Sequence, residues 1–324
     1  MIISRTPLRI SFVGGGTDIK EYYKNNSYGA VISATIDKYV YISVNKRFDN
    51  TIRASYSTTE IVDSADKIEH PIIRNALKLV GINTGIEIVS LADIPSKTGL
   101  GSSSSFTVGL LNALYAYIGV RPSAEKLAQE ACKIEIDILN EPIGKQDQYA
   151  AAFGGINYIQ FNHDESVLVE PVKISQESIF SLNENLIMFY TGITRSARSI
   201  LQDQVEKIAA KYDYYHAMKD LVKDVKEILV NDNQYKRFGE LLDKGWMMKR
   251  ELAATISSSK IDDLYNAAIQ NDALGGKLLG AGGGGFLLFY CENPNQERLK
   301  QVLNDLKWIP FRFEPYGSGI VFSD

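Results

Sequence analysis

The stretch Pro95-Ser-Lys-Thr-Gly-Leu-Gly-Ser-Ser-Ser-Ser105 decides the fold, because this glycine-serine loop opens directly onto an almost wholly apolar segment, Phe106 to Ile118. The apolar segment predicts a buried helix, whose first backbone N–H groups lack partners and lie at the positive end of the helix dipole. Such a loop is typical of an anion-binding site, and Gly99 and Gly101 permit a close backbone approach that a Cβ would block. The alternative is a serine-rich loop that only caps the helix.

Other phosphate-binding patterns are absent or stand in the wrong context. The sequence Gly-x-x-x-x-Gly-Lys-Ser/Thr does not occur, which disfavours a P-loop nucleotide hydrolase. A glycine run at 280–285 matches the dinucleotide pattern Gly-x-Gly-x-x-Gly, but the next residues, Phe286 to Tyr290, predict a strand where a dinucleotide fold requires a helix. A protein-kinase fold has no support, since neither His-Arg-Asp nor Asp-Phe-Gly is present.

Composition limits the class of protein and its partners. With 324 residues, 45% hydrophobic and 23% charged, the chain predicts a globular protein of two packed halves. The formal net charge of −4 argues against a nucleic-acid partner, because a phosphate backbone attracts an excess of Lys and Arg. The two cysteines lie in apolar stretches, as is typical of buried free thiols in a reducing compartment. The sequence has no secretory signal and no run of roughly 20 apolar residues that could span a membrane. These features predict a cytoplasmic protein without a membrane partner. The sequence leaves a homo-oligomer open.

The order of predicted elements indicates an α+β chain and not an alternating βαβ array. Strands are expected at Leu8 to Val13, Val31 to Val44 and Gly85 to Leu91. A helix from Ser123 would place Leu127, Ala131, Ile134 and Ile138 on one face. Charged helical segments follow from Arg195 to Ile269, then a strand at 286–290, a helix near Asn295 to Leu306 and terminal strands around Phe311 and Ile320. The change near residue 170 to a sequence of charged helical segments predicts an N-terminal domain at 1–170 and a C-terminal domain at 171–324.

Three carboxylates have positions that suit chemistry as well as structure. Glu135 lies on the inward face of its predicted helix, where a carboxylate needs a partner unless its head reaches solvent at the edge. Asp147 stands before an alanine-rich segment and could simply be the N-cap of a short helix. Asp18 follows a strand in Val13-Gly-Gly-Gly-Thr-Asp18 and could belong to a mere turn.

Together these segments resemble the GHMP kinases, the family of galactokinase, homoserine kinase, mevalonate kinase and phosphomevalonate kinase. The three family motifs are matched, in order, by Pro7-Leu-Arg-Ile-Ser-Phe-Val-Gly-Gly-Gly-Thr-Asp18, by the stretch 95–105 and by Leu279-Gly-Ala-Gly-Gly-Gly-Gly-Phe286. The resemblance implies a two-domain GHMP kinase fold, with an N-terminal half like ribosomal protein S5 domain 2 and a ferredoxin-like C-terminal half. It implies ATP and Mg²⁺ as cofactors.

The resemblance also assigns roles to residues of this chain. The catalytic acid beside the acceptor hydroxyl would be Asp147, with Arg9 stabilising its anionic form and the transferring phosphoryl group. The metal ligands would be Ser103 and Glu135. The residues expected around ATP are Pro95, Lys97, Gly99, Leu100, Gly101, Ser102, Ser103, Ser104 and Ser105. The residues expected around the acceptor are Gly15, Gly16, Thr17, Asp18, Gly283 and Gly284.

The exact residues of the first motif indicate which class of acceptor to expect. Galactokinase has Gly-Glu-His-Thr-Asp where this chain has Gly14-Gly-Gly-Thr-Asp18, a form most similar to the heptose 7-phosphate kinase branch of the family. That branch phosphorylates the anomeric hydroxyl of D-glycero-D-manno-heptose 7-phosphate for nucleotide-activated heptose and surface polysaccharide. Two alternatives to this function remain open. One is a fucokinase-like or other sugar 1-kinase, and the other is a catalytically silent sugar sensor on the same fold. Arg195 and Arg198 begin a predicted helix and could bind a phosphate on the acceptor or simply be solvated.

Overall fold

The structure is a computed structural model, and it describes residues 1–193, 197–231 and 235–324. The strands are β1 (Ile2–Val13), β2 (Tyr28–Lys46), β3 (Ile52–Ser55), β4 (Thr59–Val62), β5 (Ile86–Ala92), β6 (Ile156–Asn162), β7 (Val167–Pro171), β8 (Leu186–Tyr190), β9 (Ala273–Leu278), β10 (Phe286–Cys291), β11 (Lys307–Trp308) and β12 (Gly319–Ser323). The helices are α1 (Lys20–Tyr23), α2 (Pro71–Val80), α3 (Ser102–Tyr117), α4 (Ala124–Cys132), α5 (Gln146–Phe153), α6 (Gln176–Asn185), α7 (Ala197–Lys207), α8 (Tyr212–Val230), α9 (Tyr235–Arg250), α10 (Ser259–Ile269) and α11 (Gln296–Val302).

The first sheet is built around β2, which is long enough to pair with three neighbours. β1 runs antiparallel along most of it, β6 pairs with its first part at 28–34, and β5 pairs with its second part at 40–46. Beyond these, β3 and β4 extend the sheet past β5, β7 extends it past β6, and β12 extends it past β1. Since most of β1 is buried, any polar side chain on that strand has to find its partners inside the protein.

Helix α3 packs across β1 and β2 and is buried on all sides at its centre, where every residue from Thr107 to Tyr115 is buried. This confirms the buried helix expected from the apolar stretch. Because a helix that is apolar all round can only be stable inside a core, α3 is fixed between the sheet and α2, α4 and α5. Its N-terminus therefore has a fixed place at the end of β1.

The second sheet is antiparallel, in the order β11-β8-β10-β9, with α9 and α10 packed against it. Its central strand β10 is buried at every position and follows the glycine run directly, as predicted for 286–290. Four antiparallel strands backed by helices agree with the ferredoxin-like half expected from the sequence. The mixed α+β architecture is confirmed.

Some local expectations were wrong. Residues Lys133–Ile138 continue α4 as a π-helix, and this wider turn moves Ile138 off the inward face and into solvent. Phe311 lies outside the strands, because only a single bridge between Phe313 and Ile36 forms there. The last strand, β12, pairs with β1, so residues 319–323 join the first sheet. For the rest of the chain, the domain division at residue 170 stays a prediction.

Across the described ranges, no helix combines the length and the apolar character that crossing a membrane would require.

Candidate active site

A cavity of about 900 Å³ opens where the end of β1, the loop 95–101 and the third glycine motif meet. One end of this cavity is apolar and aromatic, with Tyr56, His70 and Phe106 in its wall. The other end is polar. Its wall contains Arg9, Asp18, Glu135, Asp147 and Lys249. The two ends together suit a ligand with an aromatic ring at one end and charged groups at the other.

The loop 95–101 delivers the start of α3 to the polar end. Gly101 is the N-cap of α3 and has a left-handed backbone, with φ +73°. A Cβ at this position would lie 3.1 Å from Cγ of Arg9 and 3.2 Å from Oδ2 of Asp147. Only glycine therefore lets the helix start approach these two side chains without moving them. Free N–H groups at the start of a 16-residue helix favour an anion in this part of the cavity.

Arg9 and Asp147 form a bidentate ion pair. Nε of Arg9 donates to Oδ1 of Asp147 at 2.7 Å, and Nη2 donates to Oδ2 at 2.8 Å. Nη1 donates to the carbonyl of Gly99 at 2.7 Å. The N-cap of α5 is Lys145, so the interpretation of Asp147 as a helix cap is wrong: its carboxylate is held by Arg9, which is only 4% exposed. The two residues predicted as catalytic are thus in direct contact.

Glu135 and Ser103 also lie together, as the sequence predicted for a shared ligand. The Ser103 hydroxyl donates to Oε1 of Glu135 at 2.8 Å, and Nε2 of Gln148 donates to Oε2 at 2.8 Å. Glu135 is 1% exposed, which rules out a solvated edge position. Burial raises the pKa of Glu135, and the hydrogen bonds from Ser103 and Gln148 oppose that rise.

Asp18 joins the first motif to the start of α5. Its Oδ1 accepts from the Gly16 backbone N–H at 2.9 Å, and the Gln146 side-chain and backbone N–H groups donate to its two oxygens at 3.2 Å. Asp18 is 2% exposed, and burial raises its pKa against the lowering effect of the Gly16 hydrogen bond. Four lone-pair sites on a carboxylate leave room for one further donor from the cavity.

The third motif supports the loop 95–101 through backbone contacts. The Gly280 Cα packs on Gly99, and Gly285 packs on the carbonyl of Thr98. Gly283 and Gly284, predicted to bind the acceptor, face Ile256 and Ile193 instead and do not line the cavity. A Cβ at Gly284 would lie 2.4 Å from the carbonyl oxygen of Ile193, so a side chain there would prevent this close packing, while the Gly283 N–H donates to the carbonyl of Ile256 at 2.8 Å.

The remaining predicted residues divide between the cavity wall and the supports behind it. Pro95, Lys97, Gly99, Ser102, Ser104 and Gly16 line the cavity. Leu100 and Gly15 are buried, the Ser105 hydroxyl donates to the Pro7 carbonyl at 2.8 Å, and the Thr17 hydroxyl is within 2.8 Å of the carbonyls of Gly14 and Ala30. Those four residues fix the loops. Arg198 lies at the rim, ion-paired with Glu141 at 2.9 Å, whereas Arg195 lies outside the described residues.

Sequence reasoning missed Lys249 and the two glutamines that hold the carboxylates, Gln146 and Gln148. A signal for Lys249 was present, because Leu242, Trp246 and Lys249 fall at helical spacing on the buried face of α9. The glutamines gave no comparable signal, since an amide is common both in cores and on surfaces. Their role depends on contacts with residues far away in the chain.

Comparison with known proteins identifies the family. The model of the GHMP kinases N terminal domain matches residues 56–155, and that of the GHMP kinases C terminal matches residues 217–307. A D-glycero-alpha-D-manno-heptose 7-phosphate kinase of Campylobacter jejuni is 30% identical over 319 residues, which cover 93% of each protein. The chain is a GHMP kinase. Members of this family are ATP-dependent kinases, and the relatives of this chain include kinases of sugars and of mevalonate, whose acceptors are hydroxyl groups, so the enzyme class predicted from the three motifs is confirmed.

Two more relatives complete the comparison. An L-fucokinase/L-fucose-1-P guanylyltransferase of Bacteroides fragilis is 26% identical over 346 residues; the match covers 94% of this GHMP kinase and only 36% of that protein. A crystal structure described as a D-glycero-D-manno-heptose 1-phosphate kinase from Bacteroides thetaiotaomicron has a TM-score of 0.83 at 24% identity, with all of both chains covered. At 24% identity, the similarity to this crystal structure shows the fold alone.

The contact of Gly101 with the ion pair leads to a first prediction. Gly101→Ala should lower turnover by about tenfold, because the new methyl group displaces Arg9 and Asp147 by a few tenths of an ångström. Gly119→Ala is the matched control: Gly119 has a similar backbone, with φ +78°, but open space around it. Both variants should lose about 1–2 kcal/mol of stability in urea unfolding. Equal turnover of the two variants would show that the contact at Gly101 does not position the pair.

Proposed function

We propose that this GHMP kinase transfers the γ-phosphoryl group of MgATP to the anomeric hydroxyl of D-glycero-D-manno-heptose 7-phosphate. The observation that carries the proposal is the Arg9–Asp147 ion pair, which lies beside the start of α3 in the same cavity as Asp18. A relative of 30% identity across nearly the whole chain supports the choice of acceptor. The 1,7-bisphosphate product would serve nucleotide-activated heptose and surface polysaccharide synthesis.

The nucleotide would lie along the cavity with its phosphates at the start of α3. There the backbone N–H groups of 102–104 meet the positive end of the helix, an arrangement that stabilises phosphate oxygens. The adenine ring would occupy the apolar end, between Tyr56, His70 and Phe106. His70 suits this environment as a neutral ring, because burial lowers its pKa.

Ser103 and Glu135 fit a magnesium ion bound together with ATP. A hydroxyl and a carboxylate are hard oxygen ligands, and Mg²⁺ commonly takes one or two carboxylates and completes its shell with water and phosphate oxygens. Within the described ranges no group of three His, Cys, Asp or Glu side chains could hold a metal by itself, so the proposed site consists of Ser103 and Glu135 together with the phosphates of ATP. When bound, the ion would neutralise charge on the β- and γ-phosphates.

The protein's own contribution to the transfer would be alignment and charge. Asp147, held by two hydrogen bonds from Arg9, would accept the hydrogen bond of the acceptor hydroxyl and, by the end of the transfer, its proton. Asp18 would accept a second sugar hydroxyl with its remaining lone pair. Phosphoryl transfer has a loose transition state, so such positioning is the main requirement on the protein.

A fucokinase-like sugar 1-kinase is the second candidate, favoured by the 26% identity to the kinase of Bacteroides fragilis. The two candidates differ in one chemical group, since heptose 7-phosphate carries a phosphate and fucose does not. Recognition of that phosphate would fall to cations at the rim. Arg198 lies there, on the first turn of α7.

A panel of sugars should separate the candidates. We expect ATP-dependent turnover with D-glycero-D-manno-heptose 7-phosphate and at least tenfold lower kcat/KM with the same heptose lacking its phosphate or with L-fucose. Phosphate release from the product by mild acid would identify an anomeric phosphate. Asp147→Asn should bind MgATP but lose turnover by orders of magnitude, which serves as the background control. Equal use of both heptoses would contradict recognition of the phosphate.

The magnesium ligands can be tested by metal titration. Ser103→Ala and Glu135→Ala should each raise the Mg²⁺ concentration needed for half-maximal rate before they change the KM of the sugar. Ser105→Ala is the matched control, because Ser105 lies in the same turn but donates to the Pro7 carbonyl. An unchanged Mg²⁺ dependence in both site variants would remove the ligand assignment.

The role of Arg198 can be tested against its ion-pair partner. Arg198→Ala should raise the KM for the sugar phosphate about tenfold and leave the KM for ATP nearly unchanged, as expected for loss of one charge-assisted contact of about 1.5 kcal/mol. Glu141→Gln frees Arg198 from its 2.9 Å contact and should leave that KM unchanged or lower it. If both variants raise the KM for the sugar phosphate equally, the ion pair between Arg198 and Glu141 stabilises the rim of the cavity, and Arg198 does not bind phosphate.

A further inference from the structure

Lys249 is a buried cation in the polar end of the cavity, and no role follows for it from the three motifs. It lies in the last turn of α9 and is 6% exposed. Its ammonium group donates to the carbonyl of Gly280, the residue that packs on Gly99. Since Arg9 donates to the carbonyl of Gly99, Arg9 and Lys249 flank the same glycine contact. Lys249 is therefore placed at the reacting end of the cavity.

The positive charge of Lys249 is available to a bound anion, whereas the charge of Arg9 is not. Arg9 is neutralised by its bidentate partner Asp147, so this pair adds no net charge to the cavity. Lys249 makes no ion pair with any residue in the described ranges, and its hydrogen bond is to a neutral carbonyl. An ammonium group has three N–H donors, so donors remain for a ligand. A buried charge without a counter-ion is costly unless an anion arrives during function.

The surroundings of Lys249 disfavour its charged form in the free protein. Burial, and to a smaller extent the nearby charge of Arg9, lower the pKa of Lys249 to about 8, although the charges of Asp18 and Asp147 oppose the change. Lys277 approaches from β9, but its ammonium donates to the carbonyls of Ser11 and Phe12 behind the cavity. An anion next to Lys249 would favour the charged form of the lysine again.

We propose that Lys249 is a further catalytic residue, whose ammonium donates to the transferring phosphoryl group and stabilises the charge on its oxygens. The inference rests on the proposed kinase function but on no particular acceptor. In the step, the acceptor oxygen bonds to the γ-phosphorus as the bond to the bridging oxygen breaks, ADP leaves with that electron pair, and the hydroxyl proton goes to Asp147. Lys249 neither gains nor loses a proton.

Replacement of the side chain tests the proposal. Lys249→Met should lower kcat by about 100- to 1000-fold and change the KM of ATP and of the sugar by less than about threefold, because the contact is strongest in the transition state. Lys277→Met is the matched control: it removes another buried lysine that donates only to carbonyls and does not line the cavity. Its kcat should stay within about fivefold of the parent.

The pH dependence of the unaltered enzyme gives a second measurement, which does not depend on a variant that folds. With the pKa of Lys249 near 8, the charged form is lost as the pH rises, so kcat/KM for MgATP should fall about tenfold per pH unit above that value. Lys249→Arg should keep its rate to higher pH, since a guanidinium stays charged. Lys277→Met should retain the alkaline fall, which excludes Lys277 as its source.

The outcomes separate this inference from the choice of acceptor. Slow hydrolysis of MgATP by water, measured without a sugar, should also fall in Lys249→Met. If heptose 7-phosphate is not used but another sugar is, the acceptor proposal fails and the lysine is tested with that sugar. The inference is overturned if Lys249→Met keeps its kcat and its ATP hydrolysis, or if it raises only the KM of the sugar. It is also overturned if Lys277→Met loses kcat equally.

Discussion

Everything at this site depends on the three contacts of Arg9. Its backbone N–H donates to the carbonyl of Leu100, Nη1 donates to that of Gly99, and the rest of the guanidinium holds Asp147. One side chain on β1 thereby joins the strand, the phosphate-binding loop and α5, which are far apart in sequence. Because a guanidinium is planar and its donors are fixed in direction, these contacts define angles as well as distances.

The site concentrates charges that are unfavourable in a protein interior. Asp18, Glu135 and Lys249 are almost fully buried, and burial shifts the pKa of each towards its neutral form. Such groups lower the stability of the folded chain, since desolvation of a charge is repaid only in part by hydrogen bonds. Their presence in one cavity is easier to understand as a requirement of phosphate chemistry than of folding.

The third glycine motif contacts the loop 95–101 through glycine and not through large side chains. Gly280 packs on Gly99, and Gly285 packs on Thr98, so backbone lies directly against backbone. The second sheet thus supports the loop that begins α3, and the carbonyl of Gly280 is held in turn by Lys249. Without side chains at these contacts, the cations from both halves of the chain can approach the same volume.

The sequence by itself determined the parts whose signals are local. The apolar stretch after residue 105 specified α3, the residues after the glycine run specified β10, and helical phase placed Glu135 inside. Only the tertiary structure decided that Asp147 binds Arg9 instead of capping α5, that Gly283 and Gly284 pack on other loops, and that Lys249 faces the cavity. The physical reason is that backbone preference and burial depend on neighbouring residues, whereas the partner of a charged side chain depends on which distant segments the packed core brings beside it.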